Sequence, residues 1–167
     1  TSIDLNAIYN SINNMTCVYD DLIGELRTKL KRKHISFNSI VYLINNQRYD
    51  KIIEIVDDET IHVLIEKIVA ERERIGNAME KKLNDLFWLN ERLVQFGEEP
   101  QPSKTQALKV LKKKVFINIY DLESEKYERR TTWSKLAAQL RNYPEKRYPL
   151  QCAKEYITLQ CFLIDCL

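Results

Sequence analysis

Glycine and proline are scarce in this chain, at three and four among 167 residues. That scarcity removes the usual punctuation of all-β folds and the glycine-rich loops that cradle phosphates, so a mainly helical protein is expected. Histidine occurs only at His34 and His62. Acid–base chemistry near neutral pH draws on histidine first, so the supply of catalytic groups is thin. The spacings G-x-x-x-x-G-K-[ST], G-x-G-x-x-G, G-x-S-x-G and H-E-x-x-H are all missing, which removes the commonest nucleotide-binding, hydrolase and metalloprotease signatures. Cys17, Cys152, Cys161 and Cys166 form no C-x-x-C pair and lie far from both histidines. This spacing argues against zinc and for free, mostly buried thiols in a reducing compartment. No apolar run approaches the roughly 18 residues of a membrane span. Asn14-Met15-Thr16 matches a glycosylation acceptor formally, but its place within a helical pattern argues against use.

What the chain does hold is a long heptad-like seam. From Asp57 to Phe96, Ile61, Ile65, Ile68, Arg72, Ile75, Met79, Lys82, Leu86, Leu89, Leu93 and Phe96 recur at alternating spacings of four and three. Such alternation marks a helix that packs along its whole length. Read as one helix of about forty residues, it would be roughly 60 Å long. Asp57, Asp58 and Glu59 suit its start, and Gly97 with Pro100 and Pro102 suits its stop. A second seam, Leu5, Ile8, Ile12, Met15, Tyr19, Leu22 and Leu26, runs before it. Lys29, Lys31, Arg32 and Lys33 crowd the end of that helix, where cations complement the helix dipole.

The two seams are expected to pair as an antiparallel hairpin, with two short amphipathic pieces as the elbow. The first follows a Ser36 cap and presents Phe37, Ile40, Val41, Leu43 and Ile44. The second presents Tyr49, Ile52, Ile53 and Val56. Arg72 and Lys82 then either set the register or meet acidic residues of a partner.

Residues 98–103 read as a linker, and a basic helix is expected over 105–114. Val115 to Asp121, β-branched and aromatic, predicts a strand, and a second strand around 126–131 would complete a hairpin. A helix over 132–141 carries Trp133, Leu136, Ala137 and Leu140 inward, and a final apolar helix spans 150–167. The expected fold is therefore mainly α: an elongated helical hairpin or bundle over 1–97, then a small basic α+β module over 104–167.

Charge is divided unevenly, with 13 acidic and 7 basic residues over 50–100, and 5 acidic and 12 basic over 104–149. Two surfaces with different partners, or two halves neutralising each other, would follow. The first helix is too short to cover the far end of the central seam. Leu86, Phe87, Trp88, Leu89, Leu93 and Phe96 therefore need cover from the C-terminal module or from another subunit, and together with Phe162 of the last helix they are candidate protein contacts. These features point to a non-enzymatic assembly subunit of an intracellular, nuclear complex, in a hetero-complex rather than a homodimer. No catalytic residue, cofactor, metal, membrane or small-molecule substrate is expected. The alternative is a nucleic-acid-binding module using Lys112, Lys113, Lys114, Arg129 and Arg130, with nearby tyrosines for stacking. His62, Asp57-Asp58, Glu98-Glu99 and the Glu71–Arg74 run read as interfacial, capping or solvated groups.

Overall fold

A computed structural model describes the chain at residue 4 and over 18–125 and 130–164. Within these residues the chain is helical and holds no strand. Helix α1 (Val18–Arg32) opens with Asp20 and Asp21, closes with Lys29, Lys31 and Arg32, and buries Tyr19, Ile23, Leu26 and Leu30. The buried stripe keeps the predicted heptad spacing but passes through Ile23 and leaves Leu22 half-buried. Leu5, Ile8, Ile12 and Met15 of the first seam lie outside the described residues.

His34, at φ +58°, turns the chain into α2 (Phe37–Asn45), where the Ser36 hydroxyl accepts from the Ser39 amide at 3.3 Å. Gln47, at φ +57°, turns it again into α3 (Tyr49–Ile55). Both elbow pieces are thus short helices. The Asp58 carboxylate then caps α4 (Glu59–Lys82), accepting from the Thr60 amide at 2.9 Å. Ile61, Ile65, Ile68, Arg72, Ile75 and Met79 are all buried in the expected register, and α4 packs against α1 on one side.

The expected forty-residue helix is broken in two. The chain leaves α4 at Leu83, and Asp85 caps a separate α5 (Leu86–Gln95), accepting from the Trp88 amide at 3.2 Å. Heptad periodicity runs through the break, but Asn84 and Asp85 offer backbone groups side-chain partners that compete with a continuous helix. Removing this cap by Asp85→Ala should cost about 1 kcal/mol, read as a lower urea midpoint at unchanged slope; an unchanged midpoint would show that α5 needs no cap.

Gly97, at φ +81°, ends α5 as the sequence predicts. The Glu98 amide donates to Leu93 and the Gly97 amide to Val94, the paired bonds of a Schellman stop. The linker that follows does not hold its neighbours apart. The Asn90 side chain donates to the Gln101 carbonyl at 3.0 Å and accepts from the Gln101 amide at 2.8 Å. This clamp folds α6 (Lys104–Lys114) back along α5, placing Ala107, Leu108 and Leu111 in the shared core.

The predicted β-hairpin is absent among the described residues. Its one trace is an isolated antiparallel bridge between Phe116 and Arg130, and residues 126–129 of the expected second strand lie outside the description. The β-branched run is interrupted by Asn118, whose side chain accepts from the Asp121 amide at 3.0 Å and starts a short helix α7 (Ile119–Glu123). Local capping and the burial of Ile119, Tyr120 and Leu122 outweigh strand propensity here. What the sequence predicts as an α+β module is therefore helical as well among its described residues.

Helix α8 (Trp133–Asn142) follows a Thr132 cap, two 3-10 turns occupy Pro144–Lys146 and Leu150–Ala153, and α9 spans Ile157–Ile164. Instead of running from Leu150, the last helix begins where Glu80 of α4 receives it: both carboxylate oxygens accept amides, from Thr158 and Leu159, each at 2.9 Å. Helix α4 thus contacts α1, α7, α9 and the second 3-10 turn. One continuous apolar core runs from Tyr19 to Phe162.

Candidate interaction surfaces

The predicted contact residues of α5 are largely used within the chain. Leu89 and Leu93 are fully buried, Trp88 and Phe96 are buried and Leu86 is half-buried; Phe87 alone of the set stays out, at 74 % exposure. Helix α6 supplies the cover that α1 could not, so of the two sources open to this end the chain itself provides one. Trp88 also has cations on its ring, with Arg92 at 5.4 Å and Lys82 at 5.7 Å. Lys82 in turn donates to the Glu123 carbonyl at 3.1 Å, so this seam interruption has an internal partner.

The basic set divides too. Lys112 donates to the Phe162 carbonyl and stands 5.0 Å from that ring. Lys114 pairs with Glu98 at 3.9 Å, while Lys113 is exposed. The Arg130 amide donates to the Phe116 carbonyl at 2.6 Å, and Arg129 lies outside the described residues. The structure thereby joins two residues singled out for different reasons, Lys112 and Phe162, in one place.

That place is a cleft of about 250 Å³ between the end of α6, α8 and α9, with Val115, Ile117, Leu136, Leu140, Phe162 and Leu163 among its walls. Trp133 stands at its edge with 60 % of its surface exposed. Among the described residues, the charged side chains lining it are Lys112, Lys146 and Arg147, with no carboxylate. Arg147 donates to the Leu140 carbonyl at 2.6 Å and makes no ion pair among the described residues.

A second cleft of about 380 Å³ lies between α3 and α4, walled by Tyr49, Ile52, Ile53, Ile65, Val69 and Ala70. Its charged lining has the opposite sign: Glu66 and Glu73, with His62 and, among the described residues, no lysine or arginine. Ile53 is 64 % exposed beside it. The amphipathic pattern of residues 49–56 and the acidic and basic blocks were visible in sequence. Their meeting in two grooves requires the packing of helices distant along the chain.

Arg72 forms a separate polar centre. Its Nη2 donates to Asn45 Oδ1 at 2.7 Å and to Tyr19 Oη at 3.3 Å. The Tyr19 hydroxyl donates onward to the Glu145 carbonyl, and the Asn45 amide donates to Pro144 at 3.1 Å. Tyr148 Oη donates to the Arg72 carbonyl at 2.8 Å. Tyr19 and Tyr120 stack at 3.9 Å, tilted by only 2°. Burial raises the pKa of Tyr19, Tyr120 and Tyr148, so all three phenols stay protonated as donors. Arg72 is 3 % exposed, makes no ion pair among the described residues, and leaves Nε without an acceptor. Burial opposes its charge, the tyrosines around it favour it, and its pKa ends above the ordinary value. A buried charge without countercharge costs several kcal/mol, on the order found when buried ion pairs are broken; an unmet buried donor costs about 1–3 kcal/mol.

Among the described residues, no helix is long and apolar enough to cross a membrane, and no group of three His, Cys, Asp or Glu side chains could hold a metal ion. No known family, no curated protein and no solved structure matches this chain.

Proposed function

We propose that the chain is a non-enzymatic assembly subunit that joins two protein partners of opposite charge. The observation that carries this reading is the opposite sign of the residues lining the two apolar clefts. The α6/α8/α9 cleft, lined with Lys112, Lys146 and Arg147, takes an acidic amphipathic segment; the α3/α4 cleft, lined with Glu66 and Glu73, takes a basic one. Apolar walls supply affinity by area removed from water, and charge selects which segment enters which cleft. Exposed aromatic and aliphatic side chains at the cleft edges, Trp133 and Ile53, serve as anchors.

Two fluorescent amphipathic peptides with the same apolar face, one acidic and one basic, test the proposal by anisotropy. Trp133→Asp should weaken the acidic peptide about tenfold or more and leave the basic one unchanged; Ile53→Asp should do the reverse. Binding of both peptides that ignores both substitutions, or no binding of either, overturns the reading. A duplex titrated in parallel covers nucleic acid. Salt-dependent duplex binding that falls in Lys113→Glu, with neither peptide bound, would replace the assembly reading with the nucleic-acid one.

A further inference from the structure

Beside the α3/α4 cleft lies a third, more polar cavity of about 360 Å³ whose lining includes Gln47, Arg72, Glu73, Cys152, Lys154 and Glu155. It is the cavity that Arg72 reaches. Arginine cannot shed its proton to escape burial, and its planar fork suits a two-oxygen acceptor. The Nη2 corner is occupied by Asn45 and Tyr19, and Nε, though unmet, has no accessible surface, so Arg72 meets the cavity with what remains of its guanidinium edge. No carboxylate of the described chain pairs with the guanidinium, although Glu73 and Glu155 line the same cavity and both are exposed.

We infer that this cavity binds a small carboxylate of the amino-acid type, its carboxyl group seated on Arg72 and its ammonium group toward Glu73 and Glu155. The lining carries two cations, Arg72 and Lys154, against two carboxylates, Glu73 and Glu155. A zwitterion satisfies both pairs. A phosphate dianion would satisfy the cations and be repelled by the carboxylates. The single buried charge gives the polarity: the anionic end goes to the floor, where Arg72 is 3 % exposed, and the cationic end to the exposed rim. The cavity shares Tyr49, Val69 and Glu73 with the α3/α4 cleft, while Arg72, Cys152, Lys154 and Glu155 belong to it and not to that cleft.

Cys152 supplies the readout. Its thiol is half-buried in the same cavity; burial raises its pKa, and the charge of Arg72 works against that rise. Iodoacetate carries a carboxylate and iodoacetamide does not, while both alkylate thiolate sulfur with loss of iodide. The experiment measures both rates at Cys152 by peptide mass spectrometry, with Cys161 in the same sample as reference. The rate ratio of iodoacetate to iodoacetamide should be about tenfold or more higher at Cys152, equivalent to about 1.4 kcal/mol. Glycine should abolish that excess at lower concentration than acetate, and inorganic phosphate should leave it in place. Arg72→Lys and Lys154→Glu should each reduce it. Equal ratios at the two cysteines, or an excess that glycine and acetate do not touch, overturn the inference. So does an excess removed by phosphate at lower concentration than glycine. The competition in the unaltered chain decides the matter even if Arg72→Lys does not fold.

Discussion

Leu89→Ala should destabilise the protein by about 2–5 kcal/mol, while Phe87→Ala, two residues away, should change stability by less than about 0.5 kcal/mol. Leu89 has no exposed surface and belongs to the core that α5 and α6 share. Truncating it removes the transfer free energy of three carbons and leaves a cavity that two helices clamped by Asn90 and Gln101 are poorly placed to close. Phe87 is 74 % exposed and leaves no cavity. Urea titrations of the two variants at equal slope measure the contrast. A small effect for Leu89→Ala would mean that α6 does not cover α5, and that the 86–96 stretch is available to a partner after all.

Gly76→Ala should also destabilise, by about 1–3 kcal/mol, although the same change inside an ordinary helix gains about 1 kcal/mol. A Cβ at this point of α4 would collide with Tyr148 Oη and meet Tyr156 Cε2 at 2.5 Å. Tyr156 is half-buried and can swing aside, whereas Tyr148 is buried and its hydroxyl is committed to the Arg72 carbonyl. The added methyl must displace a bonded phenol, and that loss exceeds the propensity gain. Combining Gly76→Ala with Tyr148→Phe removes the closest atom. A double-mutant cycle from denaturation midpoints should then show a favourable coupling of about 0.5 kcal/mol or more. A single variant as stable as the parent would show that the two tyrosines do not press on α4.

The parts of this fold legible in sequence are those fixed by neighbours along the chain. The register of α4 from Ile61 to Met79 follows from spacing alone, and Gly97 announces the end of α5 because a left-handed stop suits that residue. Arg72 stands out as an interruption of the seam, but its partners Tyr19 and Asn45 lie 53 and 27 residues away, where no local pattern reaches. Two of the errors, the unbroken helix and the β-hairpin, have a common source. Periodicity and propensity are averages over a window, and a single Asx side chain defeated each: Asp85 split the long helix, and Asn118 converted the expected strand into a helix. The 86–96 stretch looked uncovered because the first helix is too short to reach it and residues 98–103 read as a linker. Its reciprocal bonds to Asn90 make it a fold-back instead. For the clefts, the sequence displayed the two charge blocks and the apolar faces, while the pairing of charge with groove depended on which helices pack together.

The Tyr19 hydroxyl bonded to Glu145, 126 residues downstream, also bears on the order in which the protein can be made. A chain emerging from a ribosome presents α1 and α4 early, and their apolar faces can meet at once. The phenol that supports Arg72 must wait for its acceptor, and α4 must wait for Tyr148 and Tyr156 to settle over Gly76. Until the segment carrying Glu145 arrives, the nascent helices hold a guanidinium that lacks part of its cage. Completion of the polar centre is thus a late event in synthesis, and a chain stalled before Glu145 would stay open at its middle rather than at its growing end.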